Sequence, residues 1–402
     1  MKALLLENIH SEGIRVLEEA GFEVETRPGA LGEDDLVEAL RGVDVLGIRS
    51  ATHVTDKVLE ACGNDLKAVG AFCIGTNQID LGSAAAHGVA AFNAPFSNTR
   101  SVVELTIAEI ISLARHLTDK NAKMHAGIWD KSAKGSHEVR GRTLGIVGYG
   151  NIGSQLSIVA EALGMRVMFY DIADKLALGN ARRAHSLDEL LAESETVSLH
   201  VDGRPGNAGF FGEAEFAKMR PRSLFLNLCR GMVVDHHALH QHLTSGHLAG
   251  AAIDVFPQEP KTAGDPFVSE LQGLPNVILT PHVGGSTQEA QEDIGRFVAG
   301  KLVDYVTTGS TLMSVNLPTV GTQGPGAVRV VHLHRNIPGV MAGLNQVFSN
   351  HGANVESQTL GTRGNLGYAV TDIRLAHDAA ASNLEAELRG VPGTVKVRVI
   401  DA

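Results

Sequence analysis

Aromatic side chains are scarce, at 4% of the chain, while glycine occurs 45 times. That balance disfavours a core of stacked rings and suits α/β layers with tight strand–helix turns. Only three cysteines are present, Cys62, Cys73 and Cys229. They supply no disulfide framework and no Cys-x-x-Cys pair, so a reducing cytoplasm is the expected compartment. Positive charge is in deficit, 34 Lys and Arg against 45 Asp and Glu, a net charge of -11. A surface of that sign excludes nucleic acid as the main partner. No apolar run approaches the ~18 residues of a spanning helix, so no membrane association is expected. The opening MKALLLENIHSEG reads as a first strand rather than a signal peptide, because Glu7 and Asn8 cut its apolar stretch short. What remains is 402 residues, 44% apolar and 20% charged, enough for well-formed cores in two or three domains.

The pattern alternates strands and helices. KALLLENI, FEVETR, VDVLGIR, LKAVGAF and VAAFN read as strands, with amphipathic helices between them closed by glycine. A long helical pattern from Arg100 to about Gly127 follows, apolar enough to bury a face against another domain or subunit. RTLGIVGYG, RVMFYD, TVSLHV, SLFLNLC, LAGAAIDV and NVILTP resume the strands, and STQEAQEDIGRFVAGKLVDYV is helical. Leu317–Gly326 (LPTVGTQGPG) reads as a linker. The last stretch reads as a βαββαβ unit of ferredoxin-like type. The expected fold class is α/β: two doubly wound parallel-sheet domains, one flavodoxin-like and one Rossmann, plus a C-terminal ferredoxin-like domain.

GYGNIG places Gly148, Gly150 and Gly153 between a strand and a helix. The first glycine makes the turn, the second admits a pyrophosphate and the third lets helix pack on strand, with Asn151 and Ile152 opening the helix. Asp171 ends the next strand, 18 residues beyond Gly153, where a carboxylate can bond both adenosine ribose hydroxyls. It would repel a 2′-phosphate, so NAD is expected rather than NADP. Three further residues fall at or just after strand ends, where doubly wound sheets bind ligands: Arg230, Glu259 and His282. A guanidinium can hold a carboxylate in a bidentate fork, an imidazole can exchange a hydroxyl proton, and a carboxylate can orient the ring. Singly, each could be structural: a helix cap, a solvated acid, a loop ring bonding backbone.

The phrases FCIGTNQIDL, NAPFSNTRSVVEL, GIVGYGNIGSQL, AAIDVFPQEP, LTPHVGGSTQEAQE and HLHRNIPGV together carry a resemblance to the D-isomer-specific 2-hydroxyacid dehydrogenases. They are most similar to the branch that takes a phosphorylated substrate and carries an ACT domain. The resemblance implies NAD-dependent oxidation of D-3-phosphoglycerate to 3-phosphooxypyruvate, the first step of L-serine synthesis. His282 would be the acid/base, Glu259 its partner and Arg230 the substrate anchor. Asp254 would hold the nicotinamide amide. Leu228, Cys229, Arg230 and the turn His282, Val283, Gly284, Gly285 would line the cofactor. Arg49, Ile74, Gly75, Asn98, Lys131 and Arg230 would contact the substrate. The family layout implies a discontinuous substrate domain (1–98 and 282–316) around an NAD domain (99–281), then linker 317–326 and ACT domain 327–402. His334 and Asn336, read as lying between a strand and a helix that begins at Pro338, would with Asn354 bind an effector, L-serine, in a homotetramer built through the long helix and the ACT sheet edge.

Two positions depart from that branch. Ala51 stands where it carries a second arginine and Pro28 where it carries a lysine, with Arg27 next door. They leave open another 2-hydroxy or 2-oxo acid, such as 2-oxoglutarate. An NAD-sensing binding protein on the same fold is the reading from outside catalysis. Cys229, where serine is usual, reads as a small buried residue. The five histidines of DHHALHQHLTSGH read as a solvated helix face, with no third ligand to complete the His236/His240 pair as a metal site.

Overall fold

The computed structural model describes all residues except 63–64, 261–263, 323–327, 376–380 and 402, and the elements below are those of the described residues. The chain forms two compact units, residues 1–97 with 291–402, and residues 98–290.

The first unit begins with β1 (Lys2–Leu6), α1 (Ser11–Glu19), β2 (Glu23–Arg27), α2 (Glu33–Ala39), β3 (Val45–Ile48), α3 (Asp56–Cys62), β4 (Ala68–Ala71), α4 (Leu81–Ala86) and β5 (Ala90–Asn93). The strands pair in parallel in the order β2-β1-β3-β4-β5, the flavodoxin-like arrangement. Helices cover both faces, so β3, β4 and β5 are buried at every position. Strand alternation divides β1 between two cores: Ala3 and Leu5 enter one cluster, Leu4 and Leu6 the other.

The second unit contains α5 (Thr99–Arg115), α6 (Leu117–His125), β6 (Thr143–Val147), α7 (Asn151–Ala162), β7 (Arg166–Tyr170), β8 (Arg182–Arg183), α8 (Leu187–Glu193), β9 (Thr196–Leu199), α9 (Glu213–Lys218), β10 (Ser223–Asn227), α10 (His236–Thr244), β11 (Leu248–Ile253) and β12 (Val277–Leu279). Its parallel sheet runs β12-β11-β10-β9-β6-β7-β8. Strand order reverses between β6 and β9, which opens the crevice where such sheets bind dinucleotides. Leu224 and Leu226 of β10 pack into one layer and Phe225 into the other.

Helix α11 (Gln288–Thr308) leads back to the first unit, followed by β13 (Val328–Arg335), α12 (Val340–Asn350), β14 (Asn354–Arg363), β15 (Leu366–Arg374), α13 (Ala381–Arg389) and β16 (Thr394–Asp401). These strands form an antiparallel sheet in the order β14-β15-β13-β16, as a βαββαβ unit requires. One face, with Val331, Leu333, Tyr368 and Val370, shares a core with Leu302 and Tyr305 of α11. The other is covered by Leu344 and Phe348 of α12 and Leu384 and Leu388 of α13. The sheet also caps the end of α11. Arg398 donates to the Tyr305 carbonyl at 3.0 Å, Arg329 to that of Thr308 at 3.2 Å and Tyr368 to that of Gly309 at 2.6 Å. The Thr308 carbonyl is one that a helix terminus leaves unpaired, while the Tyr305 carbonyl also accepts the Gly309 N–H.

Four expectations need correction. The helical pattern at 100–127 is two helices, because His116 adopts a left-handed conformation (φ 51°, ψ 39°) that breaks the chain between α5 and α6. Helix α6 buries no residue, so no packing holds it in line with α5. Secondly, Leu317–Gly326 is not free chain over its described residues. Leu317 and Val320 are buried, and Val320 exchanges hydrogen bonds with Thr311; residues 323–326, and residue 327 of the C-terminal domain, lie outside the described residues. The histidines of α10 are not uniformly solvated. The His242 ring packs beside Phe216 and bonds Glu213 at 3.0 Å, and His236 meets the edge of Phe256. Lastly, α12 starts at Val340, not Pro338, and His334 belongs to β13.

Candidate active site

The glycine turn joins β6 to α7. Gly148 has φ 95°, and a side chain there would strike the His200 carbonyl at 2.5 Å. A Cβ on Gly153 would come within 2.2 Å of the Gly148 carbonyl, so helix and turn pack closely only because both are glycine. A Cβ on Gly150 would meet nothing, and no side chain caps the N-terminus of α7, which Asn151 and Ile152 open. Open space before uncapped amide groups is what a pyrophosphate needs. Asp171, just beyond β7, has Oδ2 on the Tyr149 N–H and Oδ1 on the Ala173 N–H, both at 2.8 Å. The carboxylate is thereby fixed beside the turn. These residues fit a dinucleotide.

Arg230 follows β10, whose last residue Asn227 braces the segment through Nδ2 to the Arg230 carbonyl (3.1 Å) and Oδ1 from the Cys229 N–H (3.1 Å). Leu228 and Cys229 are buried. Burial pushes the Cys229 thiol up to about 11, so it stays protonated and is no nucleophile.

Asp254 follows β11 and organises the turn after β12. It is buried, with Oδ1 accepting from Thr280 Oγ1 (2.6 Å) and the Val283 N–H (2.8 Å), and Oδ2 from the Gly284 N–H (2.8 Å). Its carbonyl takes the His282 N–H at 2.8 Å. These bonds hold His282 at φ 55°, a strained conformation for a non-glycine residue and one that clusters at functional sites. Gly285 lies against Asn98, where a Cβ would meet Nδ2 at 2.5 Å.

His282 Nδ1 lies 2.8 Å from Glu259 Oε2, and the other Glu259 oxygen accepts the Phe256 N–H at 3.0 Å. The bond from Glu259 raises the His282 pKa against the opposing effect of burial. Burial pushes Glu259 up, but its bonds from His282 and Phe256 outweigh this and hold it below the usual carboxylate range. Since Nδ1 faces Glu259, Nε2 is the nitrogen left for proton exchange. The pair borders a cleft of about 650 Å³ whose walls include Phe256, Phe267 and Leu279.

Among the other expected contacts, Lys131 is exposed in the second unit, while Arg49, Ile74 and Gly75 are half-buried in the first. Of the effector set, Asn336 and Asn354 are exposed, but His334 is buried in β13 with Nδ1 3.1 Å from that of His332. Thr280 and Phe256 were not visible as site residues in the sequence. Both lie close in sequence to residues that were, but nothing in their type marked them out. Among the described residues, no three His, Cys, Asp or Glu side chains are grouped to hold a metal, and no helix is long and apolar enough to cross a membrane.

The chain is 50% identical over 401 residues to D-3-phosphoglycerate dehydrogenase of Escherichia coli (strain K12), covering all of this chain and 97% of that one. The chain belongs to the D-3-phosphoglycerate dehydrogenase family. Its relative of that name from Dictyostelium discoideum is 45% identical over 401 residues, with the same coverage. Residues 107–284 match the NAD binding domain of the D-isomer specific 2-hydroxyacid dehydrogenases, and residues 330–396 the AHAS small subunit-like ACT domain. Among solved structures, D-2-hydroxyisocaproate dehydrogenase is similar with a TM-score of 0.71 at 26% identity, over 79% of this chain and 100% of that one. The molecule is therefore an NAD-dependent oxidoreductase of the 2-hydroxyacid class with a C-terminal ACT domain.

Proposed function

We propose that the protein oxidises D-3-phosphoglycerate to 3-phosphooxypyruvate with NAD, and that L-serine acts on it through the ACT domain. The observation that carries the chemistry is the His282–Glu259 contact, with Nε2 left free. Full-length identity of 50% to an enzyme of that name supports the substrate. Bound NAD supplies the hydride acceptor. Arg230 holds the substrate carboxylate in its planar fork. His282 takes the C2 hydroxyl proton at Nε2, and Glu259 stabilises the imidazolium that results. Asp171 bonds the adenosine ribose, Gly148–Gly153 accommodate the pyrophosphate, and Leu228, Cys229, Asp254 and the 282–285 turn border the nicotinamide. Arg49, Ile74, Gly75, Asn98 and Lys131 complete the contacts to the substrate. Asn336 and Asn354 bind the effector, and we place the enzyme in the cytoplasm as a homotetramer.

A second reading rests on Ala51, which removes a cation from the loop that carries Arg49. It gives the same chemistry on an unphosphorylated 2-oxo acid. Oxidation of NADH with 3-phosphooxypyruvate, hydroxypyruvate and 2-oxoglutarate, each with and without L-serine, separates the two. A strong preference for the phosphorylated acid supports the first reading; equal use, or preference for 2-oxoglutarate, supports the second.

A further inference from the structure

We infer that Glu7 and Gln78 are positioning residues that clamp the Arg49 backbone at its N–H and its carbonyl and so set how well the protein takes a phosphorylated substrate. The inference rests on the reading of Arg49 as a phosphate contact.

Strand β1 ends at Leu6, and the next two residues, Glu7 (φ 64°) and Asn8 (φ 54°), are both left-handed without being glycine. Consecutive residues in that region are strained and persist only where surrounding contacts hold them. Here the contacts are on the neighbouring strand's exit. β1 pairs with β3, and the chain leaving β3 is Arg49–Thr52. Glu7 Oε1 accepts the N–H groups of Arg49 (3.2 Å) and Thr52 (2.9 Å), and Oε2 that of Ala51 (2.9 Å). Converging amide groups of this kind form an anion nest. The anion in this one is the protein's own carboxylate. A substrate phosphate therefore has to be met by side-chain cations, not by these amides.

The carbonyl of Arg49 is held by Gln78, which is 3% exposed. Its Nε2 donates to the Arg49 carbonyl at 2.5 Å and to the Gly75 carbonyl at 3.3 Å. It also lies 3.3 Å from Cys73 Sγ, which itself bonds the Gly75 carbonyl at 3.2 Å. Gln78 thus ties the Arg49 loop to the Cys73–Gly75 turn, both assigned to the substrate. Among the described residues no hydrogen bond or ion pair takes up the Arg49 guanidinium. The backbone is fixed and the cation is left available, as a preorganised anion contact requires. With Ala51 offering no second cation, the placement of Arg49 carries more of the recognition.

The test is steady-state reduction of 3-phosphooxypyruvate and hydroxypyruvate by wild type, E7Q, E7A, Q78A, R49A and the E7A/R49A double variant. In E7A and Q78A the KM for the phosphorylated acid should rise about tenfold, with kcat, NADH affinity and the KM for hydroxypyruvate within about twofold. E7Q keeps an acceptor and should fall between wild type and E7A. The double variant should be no worse than R49A, because without the guanidinium nothing remains to position. Equal losses on both substrates, or losses in E7A and R49A that add, would show that Glu7 only supports the fold and would overturn the inference. If R49A leaves the preference for phosphate unchanged, the reading of Arg49 fails first and the clamp falls with it. A loss in R49A without one in E7A rejects the clamp alone.

Discussion

His282 and Glu259 meet at 2.8 Å through Nδ1 and Oε2, on a turn that Asp254 holds by its carboxylate and its carbonyl. The contact fixes a direction for pH dependence. Glu259 raises the His282 pKa above its ordinary value, so the ring stays protonated further into the neutral range. The stabilisation from this pair is complete below the unfolded pKa of histidine and is lost as pH rises through the raised one. Hydroxyl oxidation needs the neutral ring and should gain with pH through that value; reduction of the oxo acid needs the charged ring and should decline. Glu259→Gln should move both limbs to lower pH. Profiles of kcat/KM that do not move would separate Glu259 from the titration.

Removal of the ring itself makes a second case. His282→Ala should lower kcat by ~10²–10⁴, the usual worth of a positioned acid/base, while NADH binding by fluorescence stays near normal. Turnover that survives would assign the proton transfer elsewhere.

Asp171 sits beside the glycine turn with each oxygen on one backbone N–H. Those bonds leave lone pairs for a ribose and a charge that opposes a 2′-phosphate. Asp171→Ala should weaken NADH about tenfold or more, the worth of charge-assisted hydrogen bonds, and raise relative use of NADPH. The ratio of kcat/KM values for the two cofactors measures this. An unchanged ratio would remove Asp171 from cofactor selection.

The strands, the glycine turn and the Arg230, Glu259 and His282 positions were legible because each depends on local pattern: apolar runs bounded by turns, and polar residues at strand ends. What was hidden depends on distance in space. Glu7 looked only like the end of an apolar run, yet its partners are more than forty residues away at Arg49–Thr52. The break at His116 was masked because apolar residues continue through Leu117, while its cause is a single backbone conformation. His334 sits two residues from His332, and strand alternation puts both rings on one buried face, although their polarity and the Asn and Pro that follow read as a loop. Strand β8 is two exposed arginines and carries no apolar signal.

The ACT residues proposed to bind an effector differ in exposure. Asn336 is exposed after β13, with its N–H on the Asn365 carbonyl at 2.8 Å, whereas burial lowers the pKa of His334 and keeps it neutral. Asn336→Ala should abolish inhibition by L-serine and leave uninhibited turnover within about twofold, as expected for an exposed substitution. Dose–response curves that coincide with wild type would exclude this loop as the serine site.

Glu109 offers the cleanest test of buried charge. It lies in α5 at 3% exposure, and neither carboxylate oxygen has a hydrogen-bond partner among the described residues. Burial, with a smaller contribution from the negative charge of Asp254, pushes its pKa up to about 8. The native state therefore binds more protons than the unfolded chain between the ordinary carboxylate range and that value. Unfolding free energy should fall as pH rises across this window, by at most roughly 1.4 kcal/mol per unit from this group, and level off above it. Glu109→Gln removes the titration, and whatever its amide costs does not vary with pH. The stability of the variant relative to wild type, from urea unfolding at pH 5.5, 6.5 and 7.5, should therefore climb with pH. Parallel curves would mean that Glu109 is ionised throughout; a relative stability that climbs with pH would show an acid held neutral beside the carboxylate that anchors the His282 turn.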